Sequence, residues 1–221
     1  MKNLARANRQ RKLAALEGAV NPADQNKAMN NYELMLKLLH EHKRRLKTVQ
    51  SSERKAEVKA QFIPEYRDYL AGVIHAGTGQ QNDVLTTVML WCIDAGEYNQ
   101  GLDLAEYVLT HEIDMPDQYE RTAPTLVTEE VANQALKFID SETPVAIEHL
   151  ERVSNMVAEL DIYDQVRAKL MKAMGITYGK GGDNERAIAH LKKALELDEK
   201  SGVKKLIQEF EKAQKNSAAG E

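Results

Sequence analysis

The side chains most capable of chemistry in this sequence are cations that could contact phosphate groups. A compact set lies in the first quarter of the chain: Lys43, Arg44, Arg45, Lys47, Arg54 and Lys55. Another set falls within the first twelve residues, which contain no acid: Lys2, Arg6, Arg9, Arg11 and Lys12. Each phosphate that a cation neutralises releases counterions, so both sets predict contact with a nucleic-acid backbone. For the first twelve residues, a solvated terminus without a partner is the alternative interpretation.

Carboxylates that could hold Mg²⁺ are sparse outside the charged helical segments. Asp117 and Glu120 form the one acidic cluster near an expected loop, and Asp198-Glu199-Lys200 resembles half of a common nuclease pattern. A metal-dependent nuclease needs two or three converging carboxylates, and that pattern normally lies on neighbouring strands. The chain predicts no strands, so Asp117 and Glu120 are weak catalytic candidates and no metal or cofactor is expected.

Other catalytic patterns also fail on their spacing. His40 and His42 are two residues apart on an expected helix, so they point in different directions and cannot share a metal. The segment from Gly175 to Lys180 misses the phosphate-binding loop by one residue. Cys92 lies on an apolar stripe, which raises a thiol's pKa rather than activating it, and Trp91 beside it is expected in the core.

Charge is distributed unevenly along the 221 residues. Residues 1 to 60 carry fourteen Lys and Arg against six Asp and Glu, a net charge of +8, while the rest of the chain carries −12. This polarity suggests a polyanion as the partner of one end and a protein as the partner of the other. A lone cysteine and the lack of a long apolar run indicate a protein of a reducing cytoplasm without a membrane span.

The elements that must position these residues are predicted to be helices, since aromatic residues are only 5% of the chain. No Pro or Gly interrupts residues 31 to 62, so a long helix is expected from about Tyr32, either continuous or broken near Ser51-Ser52. Residues 81 to 116 predict a helical hairpin that turns at Gly96, around which the rest would pack. Further helices are expected from Thr128, as an N-cap, and after Thr143-Pro144.

The last third predicts a second hairpin with a turn at Gly181-Gly182-Asp183. Gly175, Tyr178, Ala187 and Ala194 match the offsets of a tetratricopeptide-type hairpin, although Glu199 stands where that motif prefers proline. The expected fold is therefore all-α, with a tetratricopeptide-like C-terminal half and a long N-terminal helix. Four segments are predicted: a mobile basic arm (1–30), a basic helix and hairpin (31–80), a helical-repeat-like domain (81–215) and a disordered tail (216–221).

Several short pieces, taken in order, carry a family resemblance that extends over about residues 30 to 212. They are Tyr32-Glu33-Leu34-Met35-Leu36, the run from Asp83 to Trp91, Met115-Pro116, Arg121-Thr122, Val127-Thr128-Glu129-Glu130-Val131 and Val166-Arg167-Ala168-Lys169-Leu170. In these pieces the chain resembles the terminase small subunit of peduovirus-like tailed phages, often described as the terminase endonuclease subunit.

The resemblance implies a subunit that acts in the host cytoplasm during viral genome packaging. Such a subunit binds the packaging or cohesive-end site on double-stranded phage DNA, assembles with itself into a ring and recruits the terminase large subunit, which carries the ATPase and nuclease. We therefore expect a non-catalytic part of a DNA-cleaving complex. Two alternatives stay open: a subunit with its own metal-dependent endonuclease activity, and a helical-repeat adaptor that does not bind DNA.

Overall fold

The computed structural model describes the chain from residue 22 to residue 219, with side chains described from residue 31 to residue 216. Over this range the regular structure is helical, as expected, and no strand occurs in it. The helices are α1 (Pro22–Thr48), α2 (Ser52–Phe62), α3 (Arg67–Ala76), α4 (Asp83–Asp94), α5 (Tyr98–Thr110), α6 (Ala123–Lys137), α7 (Ile147–Met156), α8 (Asp164–Lys180), α9 (Asn184–Leu197) and α10 (Lys204–Ala219). A 3-10 turn, Ile63–Tyr66, joins α2 to α3.

The chain divides into two compact units, with the boundary between Glu120 and Arg121. Unit 1 contains α1 to α5 and unit 2 contains α6 to α10. This boundary lies inside the segment 81–215 that the sequence was expected to fold as one domain. The central hairpin therefore organises unit 1, while the helices after it build a core of their own.

The expected hairpin of α4 and α5 is confirmed and forms the centre of unit 1. All ten residues from Val84 to Ile93 are buried, so α4 is surrounded on every side. The Asn82 side chain caps the helix by accepting a hydrogen bond from the Leu85 amide at 3.0 Å. Gly96, at φ +81°, makes the turn. Gly101 lets α5 approach closely, because a Cβ there would lie 3.2 Å from the Cys92 Cβ.

Helix α1 begins at Pro22, earlier than the expected start near Tyr32. Proline suits the first turn of a helix, where its missing amide hydrogen has no intrahelical partner. The chain breaks near Ser51-Ser52, and Ser51 caps α2 by accepting a hydrogen bond from the Arg54 amide at 3.3 Å. Pro64 lies in the 3-10 turn, and α3 ends at Gly77 in the left-handed conformation.

Two helix starts in unit 2 differ from the expected ones. Helix α6 begins at Ala123, not after Thr128, because Thr122 occupies the N-cap position and Pro124 the first turn. Thr128 is buried in the helix, where its hydroxyl donates to the Pro124 carbonyl at 2.7 Å. Helix α7 begins at Ile147, so the Thr143-Pro144 pair lies before the helix rather than in its first turn.

Helices α8 and α9 form the second hairpin of the chain, and they touch closely at Gly175. A Cβ at Gly175 would lie 2.7 Å from Leu191 Cγ and 3.0 Å from the Ala187 carbonyl oxygen. Gly182, at φ +86°, makes the expected turn. Helix α10 packs on this hairpin, with Ile207 and the preceding Val203 buried, and it extends to Ala219, past the expected start of a disordered tail at 216.

Candidate nucleic-acid interface

The buried side of α1 determines which of its cations face solvent. Leu39, His42 and Leu46 recur at intervals of three and four residues and are 2%, 3% and 8% exposed. At about 100° per residue, the opposite side of the helix carries Lys37, His40, Arg44 and Lys47. All four are exposed. We call these four residues the outer face of α1.

The outer face is a row of positive charge, and the exposed Glu41 lies on the same side of the helix between Lys37 and Arg44. Lys37, Arg44 and Lys47 form no ion pair with any side chain that the structure describes. The row extends over about 15 Å, since Lys47 lies ten positions after Lys37 and each position adds 1.5 Å of rise. His40 lies between the cations, with its Nδ1 2.8 Å from the Leu36 carbonyl oxygen. The Nδ1 therefore carries a hydrogen, and Nε2 is turned away from the helix.

The structure separates the four cations that the sequence grouped at positions 43 to 47. Arg44 and Lys47 belong to the outer face, whereas Lys43 is half-buried beside the inner face. Burial lowers the pKa of the Lys43 ammonium, and the nearby Asp83 carboxylate acts in the opposite direction. The Arg45 guanidinium lies over the ring of Phe62, 4.8 Å from its centroid, so it is held against the end of α2.

The cations predicted on α2 are less available than those on α1. Arg54 pairs with Glu57 at 2.6 Å, one turn further along the helix. Lys55 is half-buried. Lys59 pairs with Asp94 at the end of α4. The five predicted phosphate contacts of the first twelve residues (Lys2, Arg6, Arg9, Arg11 and Lys12) lie outside the described residues.

A polar cluster around His42 fixes the second half of α1 to the rest of unit 1. The His42 ring stacks on Phe62, with centroids 3.7 Å apart and planes 2° apart. Its Nδ1 lies 2.8 Å from the Tyr66 hydroxyl, and its Nε2 lies 3.5 Å from Glu65 Oε1. Burial lowers the pKa of His42, against the opposing effect of Glu65. His40 and His42 do point in different directions, as the sequence predicted.

The weak catalytic candidates do not converge on a site. Asp117 and Glu120 are both exposed between α5 and α6. From residue 31 to residue 216, no three His, Cys, Asp or Glu side chains come together as metal ligands. Asp198 lies in a turn, where its carboxylate accepts a hydrogen bond from the Lys200 amide at 2.9 Å. Cys92 and Trp91 are core residues, and burial raises the pKa of the Cys92 thiol to about 12.

The arrangement of unit 1 is therefore suited to electrostatic contact with an extended anion along α1. Lys37 is the residue that the sequence reasoning missed, because cations were grouped by closeness in sequence rather than by angle around the helix. The signal was available, since Lys37 precedes Arg44 by seven residues, which is two helical turns. Of the described helices, none is both long and apolar enough to cross a bilayer.

The chain is similar to known phage proteins. The family model described as phage small terminase subunit matches residues 36–165, which include the outer face of α1 and all of α2 to α7. A protein of Escherichia phage P2 named "Terminase, endonuclease subunit" is 39% identical over 181 residues, which are 82% of this chain and 73% of that protein. A protein of Haemophilus phage HP1 named "Probable terminase, endonuclease subunit" is 23% identical over 66% of this chain and 57% of its own length. No solved structure matches.

Proposed function

Because the chain belongs to the phage small terminase subunit family, we propose that it is the subunit that binds double-stranded phage DNA when packaging begins. In this proposal the outer face of α1 lies along the phosphate backbone. The basic residues before α1 contribute further contacts. The chain would then present the bound DNA to the terminase large subunit, which cuts and translocates it.

The observation that carries the proposal is the exposure of Lys37, Arg44 and Lys47 in one row without ion-pair partners among the described residues. In duplex DNA each strand carries one phosphate per roughly 3.4 Å of axis, so a row of about 15 Å is long enough to meet several phosphates. Lys and Arg side chains supply the charge that releases counterions. The row contains no Asn or Gln to read base edges, so it would position DNA rather than select a sequence.

Assembly with a protein partner is proposed from the negative charge of residues 68 to 120. Residues 68 to 120 contain ten Asp and Glu and no Lys or Arg. Asp117 and Glu120 are exposed in it. Such a surface repels DNA, so DNA would be confined to α1 while this surface remains open to the large subunit or a second copy of the chain in a ring.

A repeat-like role for unit 2 is part of the same proposal. Gly175 meets Ala187 and Leu191 where α8 crosses α9, and Ala187 and Ala194 are both fully buried. Small residues at a helix crossing are the tetratricopeptide pattern, and repeats of that kind typically present a surface to other proteins. We interpret unit 2 as a tetratricopeptide-like platform for a protein partner.

The name of the P2 protein keeps a second candidate function open, since it describes an endonuclease subunit. In our proposal cleavage belongs to the assembled terminase, and Asp117 and Glu120 have no catalytic role. Incubation of the purified chain with Mg²⁺ and a plasmid that carries the packaging site tests this point. Cleavage by the wild type that is lost in Asp117→Ala and Glu120→Ala would transfer the nuclease to this chain.

Direct binding tests the main proposal against the adaptor alternative. The full chain is titrated with two duplexes of equal length, one with the packaging site and one unrelated, at several salt concentrations. We expect binding to both duplexes at low salt, weakening steeply as salt rises. No binding to either duplex at low salt would favour an adaptor that does not contact DNA.

A further inference from the structure

A buried histidine connects the helix that carries the outer face to the core of unit 1. His42 is 3% exposed although it is ionisable, and it contacts three elements besides its own helix. Phe62 of α2 stacks on its ring at 3.7 Å. Tyr66 of the 3-10 turn meets its edge, and the Trp91 ring of α4 lies 6.5 Å away. Any change in the charge of His42 therefore acts where α1 meets the rest of unit 1.

Every hydrogen of the His42–Tyr66 pair has an acceptor when the His42 ring is neutral. The Glu65 carboxylate near Nε2 can only accept, so the hydrogen of the neutral ring lies on Nε2. The Nδ1 then accepts from the Tyr66 hydroxyl at 2.8 Å. In this arrangement His42 has a donor on one side and an acceptor on the other, and the Tyr66 hydroxyl has an acceptor.

A second proton would have to enter at Nδ1, where it meets the Tyr66 hydroxyl. That hydroxyl would turn to accept, and its own hydrogen would lose the acceptor it has now. Tyr66 is fully buried, and its hydroxyl forms no other hydrogen bond among the described residues. A buried donor without an acceptor loses its hydration without compensation, so the charged state conflicts with the packed state.

The charges that face His42 do not remove this conflict. Glu65 of the 3-10 turn and Glu41 of α1 favour the charged ring, Arg45 of α1 opposes it, and the α2 and α4 neighbours are the uncharged Phe62 and Trp91. Burial is the largest effect, so the pKa of His42 is lowered. The Glu65 side chain is half exposed, and water weakens its attraction.

We propose that His42, Glu65 and Tyr66 form a pH-sensitive latch, which holds the second half of α1 against the 3-10 turn and α4 while His42 is neutral and releases it when His42 is protonated. Only the effect of the latch on DNA binding rests on the proposed function. The latch itself does not depend on it. Arg44 and Lys47 lie within five residues of His42. Release of α1 therefore displaces the outer face relative to the rest of unit 1. DNA binding should then weaken as the pH falls, although added positive charge alone would strengthen it.

The fluorescence of Trp91, the chain's single tryptophan, reports on the latch without DNA. Trp91 is 5% exposed, so its emission is expected at short wavelength at pH 7.5. As the pH falls to about 5, release should shift the emission to longer wavelength while far-UV circular dichroism keeps most of its helical signal. A constant emission maximum, or quenching without a shift, would contradict the proposed release of α1.

Three variants assign the effect to the latch. His42→Gln should remove the wavelength shift, while His40→Gln, on the exposed side of the same helix, should retain it. Glu65→Gln keeps His42 but removes a charge that favours its protonation, so the midpoint should move to lower pH. This last variant keeps the test valid if His42→Gln fails to fold. The latch is contradicted if the midpoint is the same in Glu65→Gln and the wild type, or if His42→Gln shifts as the wild type does.

DNA titrations at pH 7.5 and pH 5.5 separate the latch from the proposed function. We expect the wild type to lose affinity several-fold at the lower pH and His42→Gln to lose none. A Trp91 shift in a chain that binds no DNA at either pH would support the latch and contradict the proposed function. DNA binding with no Trp91 shift would support the proposed function and contradict the latch.

Discussion

The guanidinium of Arg45 lies over the ring of Phe62, 4.8 Å from the centroid, so a cation that looks available in the sequence is partly occupied within the fold. Arg44, one residue earlier, is exposed and has no ion-pair partner among the described side chains. Neighbouring arginines thus have different surroundings, because a helix turns about 100° per residue. The outer face of α1, not the basic stretch as a whole, is the surface we assign to DNA.

The two arginines are therefore expected to respond differently to substitution. Arg44→Ala should weaken DNA binding and reduce the slope of log affinity against log salt by about 0.9, the value of one phosphate contact. Arg45→Ala should leave the slope nearly unchanged and destabilise unit 1 by about 0.5–1 kcal/mol through the lost contact with Phe62. Salt-dependent binding and chemical denaturation followed by Trp91 fluorescence measure the two effects. Equal slopes for the two variants would refute the division.

The close crossing of α8 and α9 predicts that Gly175→Ala destabilises unit 2. The new methyl group would meet Leu191 and the Ala187 backbone at 3.0 Å or less, so overpacking should cost about 1–3 kcal/mol. Gly72→Ala is the matched control, because a Cβ at this helical position has nothing within 4 Å. It should stabilise the chain by about 0.5–1 kcal/mol. Denaturation followed by circular dichroism compares them, and a loss of equal size in both would show that the α8–α9 crossing is not tight.

Cys92 is expected to be chemically inert in the folded chain. Its side chain is fully buried on α4, and burial raises the pKa of the thiol to about 12, so very little thiolate exists at neutral pH. A thiol reagent such as Ellman's reagent should label one equivalent in guanidinium chloride and almost none in buffer within minutes. Rapid labelling of the native chain would show that the core of unit 1 opens readily.

The stability of unit 2 should depend on the protonation of His190. Its ring stacks against Tyr178, with centroids 5.2 Å apart, and burial lowers the pKa of His190. The unfolded chain therefore binds the proton more tightly, and the stabilisation is complete above an ordinary histidine pKa of about 6.5 and decreases as the pH falls below it. Denaturation at pH 7.5 and 5.5 should show less loss of stability in His190→Gln than in the wild type. An equal loss of stability in the two chains would show that protonation of His190 does not affect the stability of unit 2.

Much of the helical fold could be predicted because the signals were local. The α4–α5 hairpin follows from apolar spacing and from Gly96, and the turn before α9 follows from Gly182. The predicted start of α6 was wrong because Thr122 and Thr128 are both residues that suit an N-cap. Thr128 is followed by two acids, as a cap often is. Pro124 favours the first turn of a helix, so the helix begins after Thr122 rather than after Thr128.

The exposure of the individual cations was predicted less well than the helices, because it depends on which side of α1 is buried. Leu39 and Leu46 would have given that direction, and with it Lys37, had the cations been sorted by angle. The role of His42 could not be predicted, because its partner Tyr66 lies 24 residues away and belongs to another element. The spacing of Leu39, His42 and Leu46 places His42 on the buried side of α1, but it does not reveal the partner.

The proposed contact between the outer face of α1 and the phosphate backbone can be measured through the salt dependence of DNA binding in two triple variants. Lys37→Ala, Arg44→Ala and Lys47→Ala are combined in one chain, and Lys204→Ala, Lys205→Ala and Lys212→Ala, all exposed on α10, are combined in the control. Both chains lose three positive charges. We predict that the slope becomes shallower by about 2.7 in the first variant, from three phosphate contacts of about 0.9 each, and stays at the wild-type value in the control. The same change of slope in both variants, or none in the first, would show that the outer face of α1 does not bind the phosphate backbone.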